Sequence, residues 1–142
     1  MENILKISFL AKSENEALAR VISAAFVTPL NPTIAEITDI KTAISEAVTN
    51  CIIHGYEDTE TDDEPMVHMI LKTSNRLVTI EISDRGRGID DIERAREPLY
   101  TSKPEMERSG MGFTVMEEFM DGLEINSVLG EGTTIILSKK IQ

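Results

Sequence analysis

The chain has 142 residues, enough for one domain that buries roughly 68–70% of its unfolded surface, and its 41% hydrophobic content argues against disorder. A net charge of −11 speaks against direct binding to DNA, RNA or an anionic membrane, where phosphates would repel it, and favours a protein partner with a basic patch. No apolar run approaches the ~20 residues that span a bilayer, no basic stretch precedes a long apolar core as in a secretion signal, and the lone Cys51 excludes an internal disulfide; the expectation is a cytoplasmic protein.

In chain order, Ile4–Leu10 alternates apolar and polar residues and predicts a strand. Ser13 and Glu16 have the spacing of a capping box, which opens a helix to about Val27 with Leu18, Val21, Ile22 and Ala25 as its apolar face; Pro29 closes it. Asn31-Pro32 reads as a second N-cap with proline at the first helical position. That helix is expected to run to His54, with Ile37, Ile40, Ile44, Val48 and Cys51 as a buried stripe and Gly55 as a left-handed C-cap. Residues 56–65 form an acidic, turn-rich loop. Met66–Lys72 and Leu77–Ser83 predict a hairpin. Residues 84–108 contain Pro98 and Pro104 and little periodicity, and a loop of that length in a compact domain is usually functional. A third helix follows at Gly112–Met120, then a terminal hairpin of Leu123–Val128 and Thr133–Ser138. The order β-α-α-β-β-α-β-β predicts a two-layer α/β sandwich in a single domain over residues 1–142. One mixed, mainly antiparallel sheet would be covered on one face by helices.

Four short motifs fall at suggestive places along this order. Glu46 and Asn50 are four apart on the second helix and project from the same side. An Asn carbonyl suits Mg²⁺, and a carboxylate beside it can orient or deprotonate an attacking hydroxyl. Asp84 ends a strand and precedes Gly86 and Gly88; there it can accept the exocyclic amine of adenine while the glycines let backbone approach the base. Arg85 and Arg87 are expected to face solvent. Gly110-x-Gly112 opens the third helix, where bare backbone N–H groups and the positive dipole end bind phosphate, and Arg108 is placed to reach a γ-phosphate. Thr133, after Gly130 and Gly132, offers a hydroxyl to the same pocket. Taken singly these are common patterns: a solvated Glu and Asn, an Asp-x-Gly turn, a helix entry, a β-branched strand residue.

Taken together and in this order, the motifs resemble the ATP-binding fold shared by gyrase, Hsp90, histidine kinases and MutL (the GHKL superfamily, with the Bergerat-type fold). Glu46-Ala-Val-Thr-Asn50 with Ile53-His-Gly-Tyr56, Tyr100-Thr-Ser-Lys-Pro104 and Glu107-Arg-Ser-Gly-Met-Gly-Phe113 are closer still to one branch. These runs resemble the anti-sigma-F factors, serine kinases of Gram-positive spore formers. The resemblance implies a protein that binds a sporulation sigma factor of the sigma-F type and keeps it from RNA polymerase. It also implies an ATP-dependent protein kinase that phosphorylates a serine of an anti-anti-sigma protein. By the same resemblance Glu46 is the general base and Asn50 the Mg²⁺ ligand, Asp84 reads adenine, and Gly86, Gly88, Ser109, Gly110, Met111, Gly112 and Thr133 shape the ATP/ADP pocket. Residues 101–110 form a lid from Thr101, with Arg108 near the γ-phosphate. The branch homodimerises, and the edge of the first strand, residues 3–10, is the expected joining surface. Glu16, Arg20 and Ser23 of the first helix, read as lying opposite its apolar stripe, form the expected docking face for the protein partners, with Arg20 its anchor.

Other readings of the same motifs make weaker fits. A histidine-kinase catalytic domain works beside a phosphoacceptor histidine on a helical hairpin, which neither His54 nor His68 resembles. A gyrase- or MutL-like ATPase needs transducer domains. A nucleotide-gated sigma-binding module without kinase activity would have no use for Glu46.

Overall fold

In a computed structural model, residues 2–56, 64–89, 91–97 and 112–142 are described. Five strands, β1 (Asn3–Leu10), β2 (Met66–Ser74), β3 (Leu77–Asp84), β4 (Gly122–Val128) and β5 (Gly132–Lys140), form one sheet in the order β1-β2-β3-β5-β4. Helices α1 (Ser13–Val27), α2 (Ile34–Asn50) and α4 (Gly112–Phe119) cover one face, with α2 packed between α1 and α4; the short α3 (Ile92–Ala95) follows β3. This is the expected two-layer sandwich. Its four strand pairings are all antiparallel, so the mixed sheet read from the sequence is not seen among the described residues.

Alternation in the strands builds the core. Val67, Met69 and Leu71 of β2, Val78, Ile80 and Ile82 of β3, and Ile135 and Leu137 of β5 all point to the helical face and are buried. Against them α2 lays Ile40, Ala43, Ile44, Ala47 and Val48. Fully burying side chains of this size contributes about 1.5–3 kcal/mol each, so this layer dominates the stability. Asn75 and Arg76 connect β2 to β3 with φ of 48° and 68°, the pair of left-handed residues that a two-residue hairpin turn matched to strand twist requires.

Four local expectations are corrected. The N-cap of α1 is Lys12, whose ammonium has no acceptor to offer a helix N–H, and Glu16 is turned away from any capping box towards α2, where it accepts a short hydrogen bond from Ser45. The reciprocal capping box belongs to α2 instead: the Thr33 hydroxyl accepts from Glu36 N–H at 3.1 Å and the Glu36 carboxylate accepts from Thr33 N–H at 2.9 Å. Asn31 sits before this cap, left-handed at φ 50°, and ends a 3-10 turn over Thr28–Leu30; a residue ahead of proline is disfavoured in the helical region.

The buried side of α1 is also not the one expected. Leu18 and Val21 are 50% and 64% exposed and Ala25 is exposed, while Ala19, Ser23 and Val27 are buried. Small side chains at 19 and 23 let the helix lie close, and the Ser23 hydroxyl is satisfied by the Ala19 carbonyl at 2.7 Å. Ser23 therefore does not share an outward face with Glu16 and Arg20.

Finally, α2 stops at Asn50 and continues as one turn of π-helix, Cys51–Tyr56, through Gly55. Gly55 is not left-handed. It is needed for room, since a Cβ there would stand 3.0 Å from the Asp84 carboxyl carbon.

Candidate functional site

β3 ends at Asp84, and its register sets what that carboxylate meets. Asp84 lies opposite Val67 on β2 and Thr133 on β5, and faces the end of α2. The following turn holds it, because Gly86 N–H donates to Asp84 Oδ1 at 2.8 Å, the local bond an aspartate makes two residues on. The Cys51 thiol also donates to this carboxylate, and the Thr133 backbone N–H lies near enough to favour its charged form. Burial pushes its pKa above the usual carboxylate value, while the three donors pull the other way. Burial likewise pushes the Cys51 thiol well up, helped by the negative charge of Asp84. The thiol is thus a protonated donor. An ionised carboxylate has about four acceptor positions, so beyond the Gly86 N–H Asp84 keeps acceptor capacity for a ligand N–H.

The turn after β3 is clamped from both sides. Arg85 N–H donates to the Tyr56 hydroxyl at 2.7 Å, and that hydroxyl donates to Met66 carbonyl at 2.7 Å. Arg87 N–H donates to Gly55 carbonyl at 3.0 Å and its Nε to His54 carbonyl at 2.9 Å. These bonds satisfy carbonyls at the end of the π turn, which an ordinary helix end would expose. Arg87 is therefore half-buried in the site wall rather than solvent-facing, because the loop folds back on α2; Arg85 is exposed as expected. Gly86 permits the close approach, since a Cβ there would lie 2.0 Å from the Gly55 carbonyl oxygen. Gly88, at φ +78°, turns the chain against Val128, whose carbonyl a Cβ would meet at 2.4 Å. Gly86→Ala is expected to destabilise the fold by roughly 1–3 kcal/mol, because the clash is with backbone and no side chain can swing away. Urea unfolding measures this, and an unchanged midpoint would show that the turn simply backs off.

The result is a small pocket lined by Asn50, Cys51, His54, Gly55, Asp84, Ile89, Thr133 and Ile135. It gathers Asn50 from α2, Asp84 from β3 and Thr133 from β5, which the sequence singled out separately. Gly86 and Gly88 form the turn that walls it. Glu46 lies one turn before Asn50 on α2, half-buried and outside the lining. Gly112 is buried at the start of α4, which packs on α2. Thr101, Arg108, Ser109, Gly110 and Met111 lie outside the described residues. On α1, Arg20 Nε is 3.1 Å from Glu16 Oε1, an ion pair whose N–H is angled off the carboxylate.

Sequence reasoning missed three functional neighbours. Cys51 continued an apolar stripe and read as core. Tyr56 followed the expected helix end and read as the start of the acidic loop. Ser127 was readable, because it interrupts the inward series Leu123, Ile125 of β4 with a hydroxyl. Its Oγ lies 2.8 Å from Thr133 Oγ1.

The pocket's chemistry fits a nucleotide: one buried acceptor beside apolar Ile89 and Ile135 suits the amino edge and face of a base. The Asn50 carbonyl is an oxygen donor of the kind Mg²⁺ takes, and among the described residues no cluster of three His, Cys, Asp or Glu could hold a metal alone. No helix among the described residues is long and apolar enough to cross a membrane.

Comparison with known proteins agrees with this geometry. Residues 9–139 match the family described as histidine kinase-like ATPase domain. The anti-sigma F factor of Clostridium beijerinckii is 58% identical over 139 residues, 98% of this chain and 95% of that protein. That of Clostridium perfringens strain SM101 is 57% identical over 141 residues, 99% of both chains. Among solved structures, the RsbU and RsbW domains of a Mycobacterium tuberculosis protein superpose with a TM-score of 0.67 at 21% identity, over 98% of this chain; the chain spans about a third of that protein's length, 32%. That last likeness concerns the fold alone.

Proposed function

This chain belongs to the histidine kinase-like ATPase family and, within it, to the anti-sigma F factors, and on that premise we propose a protein with two activities. It holds a sporulation sigma factor away from RNA polymerase, and it transfers the γ-phosphate of ATP to a serine of an anti-anti-sigma protein. The observation that carries the nucleotide part is the convergence of Asn50, Asp84 and Thr133 on one pocket from three separate elements.

In this reading the remaining acceptor capacity of Asp84 takes the amino group of adenine, and Ile89 and Ile135 pack on the ring. The Asn50 side-chain carbonyl would hold Mg²⁺, which would supply neutralisation of the phosphate charge. Glu46, one turn towards the N-terminus of α2, accepts the proton of the attacking serine hydroxyl. Arg108 pairs with the γ-phosphate and Thr101, Ser109, Gly110, Met111 and Gly112 close over the phosphates; these assignments rest on the family's motifs.

The protein surfaces are assigned from exposure. Arg20 keeps 38% of its side chain exposed beside its i,i+4 partner Glu16 at 17%, so the docking face on α1 centres on Arg20 as its charged anchor with Glu16 at its inner edge. Among the described strands β1 pairs only with β2, leaving an edge to which the same strand of a second copy can add. We assign residues 1–142 to one catalytic domain acting in the cytoplasm.

The test is transfer of labelled γ-phosphate from Mg-ATP to a purified anti-anti-sigma protein. Acid-stable phosphate on serine is the expected result. Acid-labile phosphate would point to a histidine acceptor instead. Tight ATP binding with no transfer would leave a nucleotide-gated sigma binder as the function.

A further inference from the structure

The sheet register places Asp84, Thr133 and Ser127 in one row across β3, β5 and β4, Asp84 opposite Thr133 and Thr133 opposite Ser127. Asp84 and Thr133 line the pocket, and Ser127 stands directly behind Thr133. Ser127 Oγ has three polar neighbours: Ile89 N–H donates to it at 2.7 Å, the Gly132 carbonyl oxygen lies 3.0 Å away, and Thr133 Oγ1 lies 2.8 Å away.

Counting protons decides the direction of these bonds. A hydroxyl has one proton and two lone pairs. The Gly132 carbonyl can only accept, so the Ser127 proton goes there. One Ser127 lone pair takes Ile89 N–H, and the other takes the Thr133 proton. Thr133 Oγ1 is then left with lone pairs alone on the side of the pocket, next to the carboxylate of Asp84. The opposite orientation, with Ser127 donating to Thr133, would strip the Gly132 carbonyl of its Ser127 donor.

We infer that Ser127 is a specificity-determining residue: by holding the Thr133 proton away from the pocket it keeps the wall around Asp84 accepting only. Such a wall takes a base that presents an amino group there, whose two hydrogens find two acceptors, directly or through one water. It refuses a base that presents a carbonyl at the same place, because acceptor would face acceptor. The inference rests on the nucleotide reading of the pocket and adds how the pocket tells one purine from another. Ser127 touches no ligand in this scheme and acts through Thr133.

Mg-ADP and Mg-IDP are suitable probes, since hypoxanthine carries a carbonyl where adenine carries its amino group, and diphosphates are not turned over. Calorimetric titration of wild type should show a clear preference for ADP. In Ser127→Ala the Thr133 proton is released to turn into the pocket and meet the carbonyl, so the ADP/IDP affinity ratio should fall roughly tenfold. Any loosening of the Ile89 turn lowers both affinities and leaves the ratio alone, which separates a purely structural role. Ser127→Thr keeps the hydroxyl and should restore the ratio. Ser127→Cys, close in volume but a poor acceptor, should lower it if the alanine variant does not fold.

The decisive comparison is a double variant. In a Thr133→Val background, Ser127→Ala should leave the ratio where Thr133→Val alone puts it, because the group through which Ser127 acts is gone. A ratio unchanged in Ser127→Ala, or changed equally with and without Thr133, would overturn the inference while leaving nucleotide binding intact. If wild type binds neither diphosphate, the nucleotide reading itself fails.

Discussion

Replacing Glu46 by Gln is expected to lower phosphotransfer to the anti-anti-sigma protein by roughly 10²- to 10⁴-fold, the range a positioned general base contributes. Glutamine keeps the size and hydrogen-bonding reach of the side chain but cannot take a proton. Glu46 stands one helical turn from Asn50 and outside the pocket that receives the base, so Mg-ADP affinity and sigma-factor binding should not change. Single-turnover transfer with saturating Mg-ATP reads the chemical step, and calorimetry reads binding. Full transfer by the Gln variant would remove Glu46 from the role of base. Parallel loss of transfer and of nucleotide binding would make it a structural residue of α2.

Asp84→Asn is expected to weaken Mg-ADP binding by about 10- to 150-fold, the equivalent of one charge-assisted hydrogen bond of about 1.5–3 kcal/mol. An amide at 84 turns a donor either towards the base amine or towards the Gly86 N–H that now points at the carboxylate and the Thr133 N–H near it. The pH dependence provides a second, independent reading. Burial raises the Asp84 pKa, so the protonated form, which cannot serve the amine in the same way, begins to appear above the usual carboxylate range as pH falls. Nucleotide affinity should decline through that raised pKa.

Stability of the nucleotide-free protein moves in the opposite sense. The folded state holds the Asp84 proton more tightly than the unfolded state, so the contribution of this group to stability is complete below the unfolded pKa and is lost as pH rises through the folded one. Glu36, whose pKa is lowered chiefly by the Thr33 N–H of its capping box, works the other way: its contribution is present above its unfolded pKa and lost as pH falls through the folded one. The difference between wild type and Asp84→Asn in denaturant midpoint against pH isolates the first group. A flat difference would mean that Asp84 keeps an ordinary pKa. Nucleotide affinity unchanged in the Asn variant would remove Asp84 as the reader of the base.

Much of the layout was legible because it rests on local periodicity. Alternation over residues 66–83 and 133–138 and a helical stripe from Ile37 to Val48 report burial on one face, whatever the partner, and β2, β3, β5 and α2 were located from them. Asn50, Asp84 and Thr133 were legible as residues because each stood in a short pattern with glycines or at helical spacing. The face of α1 was misread for a physical reason. Leu18 and Val21 are the larger side chains, but the side of α1 that carries Glu16 to Ser45 of α2 buries the small Ala19 and Ser23 together with Val27, and the larger groups are turned outward. The capping box was misplaced because Glu16 has a competing partner, Ser45, that is distant in sequence.

The sequence by itself therefore determined the class of fold, the order of its elements and the residue types that pair a carboxylate with flexible turns, since these follow from backbone propensity and from which positions prefer to leave water. Only the tertiary structure decided which of those residues meet. The π turn at Cys51–Tyr56 brings a thiol and a tyrosine hydroxyl to Asp84 and its turn, Arg87 folds inward onto the carbonyl of His54, and strand register sets Ser127 behind Thr133. Such contacts join positions between 6 and 33 residues apart, and their geometry depends on how helix and sheet pack. No local pattern encodes that packing.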